Sequence, residues 1–117
     1  MATINKVIEK AFRIRPDAFD DAVKASWISE LDGKILRETM QSTETVNYEF
    51  PNHADDELLV KEPFDNIYEL YIVAMSDFYS GDFASYSASS AMFERAYEEF
   101  RKDYIRHNMP LQQKLKY

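Results

Sequence analysis

Apolar residues recur at helical spacing in four stretches of the chain. The first stretch runs from Thr3 to Arg13, and Thr3 is a suitable N-terminal cap. The second begins at Asp20 and Asp21, whose negative charge suits a helix N-terminus, and reaches about Met40. Its apolar positions are Val23, Trp27, Ile28, Leu31 and Ile35. The pattern predicts two successive helices in this part of the chain.

Two further helices are predicted on either side of Gly81. Pro63 and Asp65 suit the start of the third helix, and Gly81 suits its end. Asp82 then caps a fourth helix, which Pro110 closes. We therefore expect a mainly α protein, a small antiparallel bundle of about four helices. The predicted apolar face of the third helix comprises Ile67, Leu70, Tyr71, Ala74, Met75 and Phe78.

Two segments do not follow the helical pattern. Residues 41–62 lose the spacing and contain the turn formers Pro51 and Asn52. We expect a long irregular loop there, with room for a short β-hairpin, and loops of this length are usually functional or mobile. Residues 111–117 are expected to form a short flexible tail. The predicted organisation is one helical domain, residues 1–110, followed by that tail.

The fourth helix carries the clearest pattern in the sequence. Seven positions alternate spacings of three and four, and six of them are aromatic. This stripe is interpreted first as the core-facing side of the bundle and second as a partner surface, and one helix can serve both purposes. Its tyrosine hydroxyls favour a stripe that is only partly dry. The stripe consists of Phe83, Tyr86, Ser90, Phe93, Tyr97, Phe100 and Tyr104.

The composition excludes several kinds of site. The chain of 117 residues has 2 glycines, too few and too far apart for a dinucleotide fingerprint, and no phosphate-binding loop follows Gly33. Inside a helix, Gly33 indicates a close approach of a neighbouring element or a local bend. With no cysteine, the chain has no disulfide, thiolate nucleophile or zinc knuckle. Because no signal peptide or membrane span is evident, we expect a soluble intracellular protein.

The net charge of −7 is unevenly distributed along the chain. Residues 1–15 carry +3, residues 16–94 carry −13 and residues 95–117 carry +3. Such an acidic centre argues against a protein that grips DNA, since phosphates are held by clustered Lys and Arg. Three interpretations stay open: a solvated surface that maintains solubility, a face that mimics DNA, or a wall past which DNA slides without sticking.

Catalytic and metal-binding chemistry has little support in the sequence. His107 follows Asp103 by one helical turn and is best interpreted as a helix-terminal capping group. The loop run from His53 through Asp55 to Glu57 offers a nitrogen and carboxylates, but it lacks the spacing of a calcium loop. No helical Glu-x-x-His pair, the mark of di-iron bundles, occurs. We therefore predict no enzyme, no metal and no cofactor.

The order of these aromatic and capping residues resembles a known group of proteins. Similar stretches occur in small proteins encoded in the head-morphogenesis region of tailed phages and prophages of Gram-positive bacteria. The resemblance spans most of the chain and contains no catalytic signature. It rests on Trp27-Ile28-Ser29-Glu30-Leu31-Asp32-Gly33, Glu57-Leu58-Leu59-Val60, Pro63-Phe64-Asp65, Tyr68-Glu69-Leu70-Tyr71, Asp77-Phe78-Tyr79, Tyr86, Met92-Phe93, Tyr97, Phe100, Tyr104 and His107-Asn108-Met109-Pro110.

The resemblance implies a head-tail connector, also called an adaptor or head-completion protein. Such a subunit is mainly helical, forms a ring beneath the portal and lines the DNA channel. The resemblance implies that the ring is a dodecamer. The implied partners are the portal protein and a tail-side connector or stopper protein, with no membrane and no sequence-specific DNA binding. The implied location is the virion, with assembly in the host cytoplasm. The loop 41–62 departs from better-described connectors.

Partner contacts are expected in the loop and the tail, because a head-to-tail ring interface uses two different faces of each subunit. The alternative is an acidic regulatory module, either a DNA mimic or an inhibitor of a host protein. A hydrolase has the least support. The residues expected to contact partners are Val46, Tyr48, Phe50, Asp55, Asp56, Glu57, Leu111, Lys114, Leu115, Lys116 and Tyr117.

Overall fold

Four α-helices account for most of residues 2–108, which are the residues that the computed structural model describes. A five-residue π-helical turn, Ile35–Thr39, continues the second helix. The prediction of a mainly α, four-helix bundle is confirmed. The helices are α1 (Ile4–Ile14), α2 (Asp21–Lys34), α3 (Ile67–Tyr79) and α4 (Phe83–Asn108).

Local capping residues fix the predicted helix ends. The Thr3 hydroxyl accepts the Lys6 amide N–H at 3.3 Å at the start of α1. The Asp82 carboxylate accepts the Ser85 amide N–H at 3.1 Å at the start of α4. Gly81 has a φ of +78°, a conformation that glycine adopts without a steric penalty. It therefore allows a tight turn between α3 and α4, which form a helical hairpin.

The second helix differs from its prediction in its last turns. It was expected to continue regularly to about Met40, but the backbone widens into the π turn after Lys34. The expected close approach at Gly33 is wrong, since a Cβ atom there would meet nothing within 4 Å. Helical irregularity begins at Ile35, two residues after Gly33. The irregular part of the helix thus begins close to the glycine.

The third helix is buried on almost every side, which corrects the prediction of a single apolar face. Tyr68, Ile72 and Val73 lie outside the predicted face and are buried. Phe78, at the end of that face, is 43% exposed. The reason is position: α3 packs against α1, α2 and α4 and so forms the centre of the bundle. A helix in the centre of a bundle is apolar all round.

The loop between Met40 and Ile67 is irregular, and residues 2–108 contain no β-hairpin. One isolated antiparallel bridge joins Thr3 to Glu57. The Leu58 amide N–H also donates to the Ala2 carbonyl at 2.9 Å, so the loop runs along the start of α1. Leu58 and Val60 are buried in the core. This loop is therefore part of the packed structure rather than an appendage.

Two predicted features, the helix end at Pro110 and the C-terminal tail, fall after residue 108. Pro110 and the tail 111–117 lie outside the described residues. Among residues 2–108, none of the helices has the length and apolar character needed to cross a membrane.

Candidate functional site

An exposed aromatic cluster surrounds the turn between α3 and α4. Phe78, Tyr79, Phe83 and Tyr86 form this cluster, which we call the aromatic tip. Phe78 lies at its centre, with ring centroids 5.2 Å from Tyr79, 6.2 Å from Phe83 and 5.3 Å from Tyr86. Phe78, Tyr79 and Phe83 are 43%, 57% and 63% exposed. Single exposed apolar residues are ordinary, but contiguous exposed rings mark a contact surface.

The aromatic tip is continuous with rings at the start of α2. Tyr79 stacks on Trp27 with centroids 5.7 Å apart and planes 4° from parallel. Trp27 in turn meets the edge of Phe19 at 5.3 Å. Since Trp27 is buried, it supports Tyr79 from below. The exposed rings therefore rest on a fixed base, which lowers the entropy lost when a partner binds.

Ion pairs fix the backbone beneath the aromatic tip. Arg15 pairs with the buried carboxylate of Asp77, which also accepts the Ser89 hydroxyl at 2.7 Å. Lys24 and Asp17 form a second, deeply buried pair at 3.0 Å. These contacts join the α1–α2 connection to α2, α3 and α4. The charged groups are paired, as buried charges must be. We interpret them as structural contacts that position the tip, and not as catalytic groups.

The remaining part of the α4 stripe faces the core. Phe93 packs on Tyr71 with centroids 5.0 Å apart, and Phe100 packs on Phe64 at 6.4 Å. Both phenylalanines are buried, whereas Tyr97 and Tyr104 are partly buried. Core packing therefore holds for the middle and C-terminal parts of the stripe. It is wrong for Phe83, which faces solvent.

A buried carboxylate, Asp32, fastens the loop to the bundle. Its oxygens accept the hydroxyl protons of Tyr68 and Tyr48, each at 2.7 Å. The Tyr68 hydroxyl also accepts the Val60 amide N–H at 2.9 Å, and the Tyr48 amide N–H donates to Ser29 at 2.7 Å. α2, α3 and both ends of the loop therefore meet at one carboxylate.

Burial raises the pKa of Asp32 above its usual range, although hydrogen bonds from Tyr68 and Tyr48 act in the opposite direction. Burial and the adjacent carboxylate also raise the pKa of both tyrosines. A raised carboxyl pKa is found at some catalytic sites. Here the oxygens are fully buried and are occupied by the loop, so this cluster is interpreted as structural.

The loop residues expected to contact partners divide into two groups. Tyr48 and Phe50 pack against the core, and Val46 is partly buried. Asp55 and Asp56 are exposed, as is Glu57, which pairs with Lys61. The structure brings these acids to the surface and turns the aromatic residues inward. The tail residues of the same prediction, Leu111, Lys114, Leu115, Lys116 and Tyr117, lie outside the described residues.

The two histidines make local contacts. His53 accepts the Glu49 amide N–H at 2.8 Å, which closes a turn of the loop. His107 lies 3.2 Å from the Asp103 carboxylate, one turn earlier on α4. Within residues 2–108, no three His, Cys, Asp or Glu side chains form a group that could hold a metal ion.

Sequence reasoning did not identify Asp32 or the exposure of the aromatic tip. Asp32 has a signal in the sequence, because it stands four residues after Ile28 and three before Ile35, on the apolar face of α2. An acid at such a position predicts a buried polar contact. The exposure of Phe83 has no such signal, since Phe83 and the buried Phe93 belong to the same stripe of alternating spacings on α4.

Comparison of the chain with models of protein families, with curated proteins and with solved structures finds no match.

Proposed function

We propose that this protein is a structural subunit of a phage head-tail connector, without catalytic activity, that assembles as a ring under the portal and lines the DNA channel. The aromatic tip is the observation that carries this proposal. A subunit that works alone gains nothing from a cluster with three exposed rings, whereas an assembling subunit buries them. The helical architecture agrees with what the resemblance implies.

The charge distribution supports a channel function. Exposed acids such as Glu30, Glu38 and Asp56 belong to the central segment that carries −13. DNA phosphates are repelled by a wall of this sign, so DNA passes without being retained. Sequence-specific contacts are not needed for that task.

A ring also needs two different contact faces on each subunit. The aromatic tip is one candidate face. The second is expected at the exposed loop acids Asp55 and Asp56 or at the tail, which carries Lys114 and Lys116. Neighbouring subunits, the portal protein and the tail-side protein would all bind at these two faces.

Electron microscopy of the full chain mixed with the portal protein of the same phage tests this proposal. We expect a ring-shaped density at the tail-facing end of the portal, and co-sedimentation of the two proteins. Portal particles alone and a portal mixed with an unrelated acidic helical protein are the controls. A chain that never binds the portal, at any concentration tested, would contradict the proposal.

An inhibitor that mimics DNA is the second candidate, favoured by the segment charge of −13. Such a protein competes with DNA for a basic host protein, and its affinity falls steeply with salt. Displacement of labelled DNA from host DNA-binding proteins at low salt would favour this candidate. Portal binding without any displacement would favour the connector.

A further inference from the structure

The aromatic tip carries more acid than its ion pairs neutralise. Around its base, Arg15 pairs with Asp77, and Lys24 pairs with Asp17. Asp20, which adjoins Phe19 before α2, and Asp82, in the turn itself, form no ion pair with another residue in the range 2–108. The tip is thus an aromatic surface with an acidic border. A fitting partner is an apolar segment that carries positive charge.

The chain contains such a segment after α4. Residues 111–117 read Leu-Gln-Gln-Lys-Leu-Lys-Tyr, with three large apolar side chains and two lysines among seven residues. This composition complements the rings of the tip with Leu111, Leu115 and Tyr117, and the acidic border with Lys114 and Lys116. Lysine stems also cover aromatic surface while the ammonium groups reach carboxylates.

Residues 111–117 are too few to cover the tip of the same molecule. From Phe83 to Asn108, α4 spans about 38 Å at 1.5 Å per residue. Leu115 is seven residues beyond Asn108 and reaches at most about 25 Å, and Tyr117 reaches at most about 32 Å. Leu111 and Lys114 reach at most about 11 and 22 Å, so the segment as a whole cannot lie along the tip of its own molecule. Only a segment from another molecule can cover the whole tip.

A groove near the C-terminal end of α4 is the competing site within the same chain. It has a volume of about 520 Å³ and is lined by Phe64, Phe100 and Tyr104 among others. Its charge is mixed, because Lys61 lines it together with Glu62 and Asp103, and Asp103 already faces His107. Its phenylalanines are more buried than those of the aromatic tip. Exposed aromatic surface therefore favours the tip.

We propose that the aromatic tip of each subunit binds residues 111–117 of a second copy of this chain. This inference rests on the proposed function, because it names the contact between neighbours in the ring. Because the tip and the segment are different surfaces, each subunit binds one neighbour through its tip and the other through its segment. The contact therefore propagates head to tail. A closed ring results where the rotation between neighbours allows it.

Mixing two defective variants of the full chain tests the proposal. The tip variant is Tyr79→Ser with Phe83→Ser, and the segment variant is Lys114→Glu with Lys116→Glu. By sedimentation velocity up to about 1 mM, a range suited to weak association, we expect wild type to form a series of oligomers and each variant alone to stay monomeric. The mixture should stop at 1:1 dimers, since only one intact tip and one intact segment are present.

Other outcomes overturn the proposal. Oligomers of the segment variant alone would show a contact between two tips. Oligomers of the tip variant alone would place the segment on another surface. A wild type that stays monomeric throughout this range, or a mixture that does not associate, would show that the contact does not form. A melting temperature that falls in the segment variant, without loss of association, would place the segment in its own groove.

Neutralising acidic residues provides a second test, which leaves the aromatic side chains of the tip in place. Asp20→Asn with Asp82→Asn should weaken wild-type association and reduce its salt dependence. The asparagine introduced by Asp82→Asn retains a side-chain oxygen that can cap α4. The matched control is Glu94→Gln with Glu99→Gln, two exposed acids on α4 away from the tip, which should associate like wild type. Equal effects of the two pairs would contradict a specific acidic border. Thermal melts establish that each variant is folded.

Portal binding separates failure of this inference from failure of the proposed function. If the tip and segment variants both still form rings on the portal, the ring contact lies elsewhere and the connector proposal stands. If wild type neither binds the portal nor forms rings, the connector proposal fails, whatever the sedimentation result.

Discussion

The two ends of the α4 stripe have the same residue pattern and opposite environments. Phe93 and Phe100 are 8% and 6% exposed, and each packs on a ring from another part of the bundle. Phe83 is 63% exposed, and the ring opposite it, Phe78, is itself half exposed. Periodicity places side chains on one face of a helix. Whether that face is buried depends on the element that lies opposite.

At the N-terminal end of α4, the opposite element is the end of α3, just before the turn at Gly81. Few residues remain there to cover the stripe. Further along, α3, the π turn and the segment around Phe64 all contribute side chains over α4. The same heptad spacing therefore builds the core in one region and exposes rings in the other. We attribute the second region to a protein contact.

The largest expected effect comes from truncating the buried part of the stripe. Phe93→Ala should lower the free energy of unfolding by about 3 to 5 kcal/mol, because it leaves a cavity beside Tyr71. The matched change Phe83→Ala should cost less than about 1 kcal/mol. Chemical denaturation of both variants measures the difference. Equal losses would abolish the distinction between the two regions.

The next effect concerns the polar contact that fastens the loop. Tyr68→Phe removes a hydroxyl that donates to Asp32 and accepts from Val60, and so leaves two buried groups without that partner. We expect a loss of about 1 to 3 kcal/mol. Tyr71→Phe is the control, since the Tyr71 hydroxyl makes no hydrogen bond recorded within residues 2–108. If the two variants unfold at the same denaturant concentration, the cluster does not hold the loop.

The pH dependence of stability isolates Asp32. Its pKa is higher in the folded protein than the ordinary value of 3.8, so the folded state binds the proton more tightly. That contribution is fully present below about pH 4 and is lost as pH rises through the raised pKa. We expect the stability of wild type to fall relative to Asp32→Asn over this range. Parallel curves from denaturation at a series of pH values would contradict this.

The smallest effects are expected at the two glycines. Gly33→Ala should stabilise the protein by about 0.5 to 1 kcal/mol, because the helical position has space for a Cβ atom. Gly81→Ala should destabilise it by about 1 kcal/mol, since φ there is +78°. Thermal melts compare the two. A Gly81→Ala variant at least as stable as wild type would contradict the positive φ at this turn.

Much of the fold follows from local sequence signals, and the rest depends on how the helices pack against one another. Thr3, Asp82 and Gly81 act locally, so the helix ends near them were predictable. The burial of α3 on almost every side was not predictable, because single-face periodicity is the pattern of a peripheral helix and α3 occupies the centre of the bundle. The π turn has no sequence rule that identifies it.

The candidate site was predictable only in part. The stripe on α4 was identified as core or contact surface, and the structure divides it between the two. Asp32 could have been noticed as an acid on an apolar helix face. Tyr48 and Phe50 were expected to contact partners, yet they pack against the core because Asp32 and the core hold the loop.

Hydroxyl-radical footprinting of the full chain, alone at low concentration and assembled on the portal, tests the division of the α4 stripe most directly. We expect Tyr79 and Phe83 to be oxidised rapidly in the monomer and protected several-fold on assembly. Phe93 and Phe100 should be protected in both states. If Tyr79 and Phe83 are oxidised equally in the two states, the aromatic tip is not a contact surface.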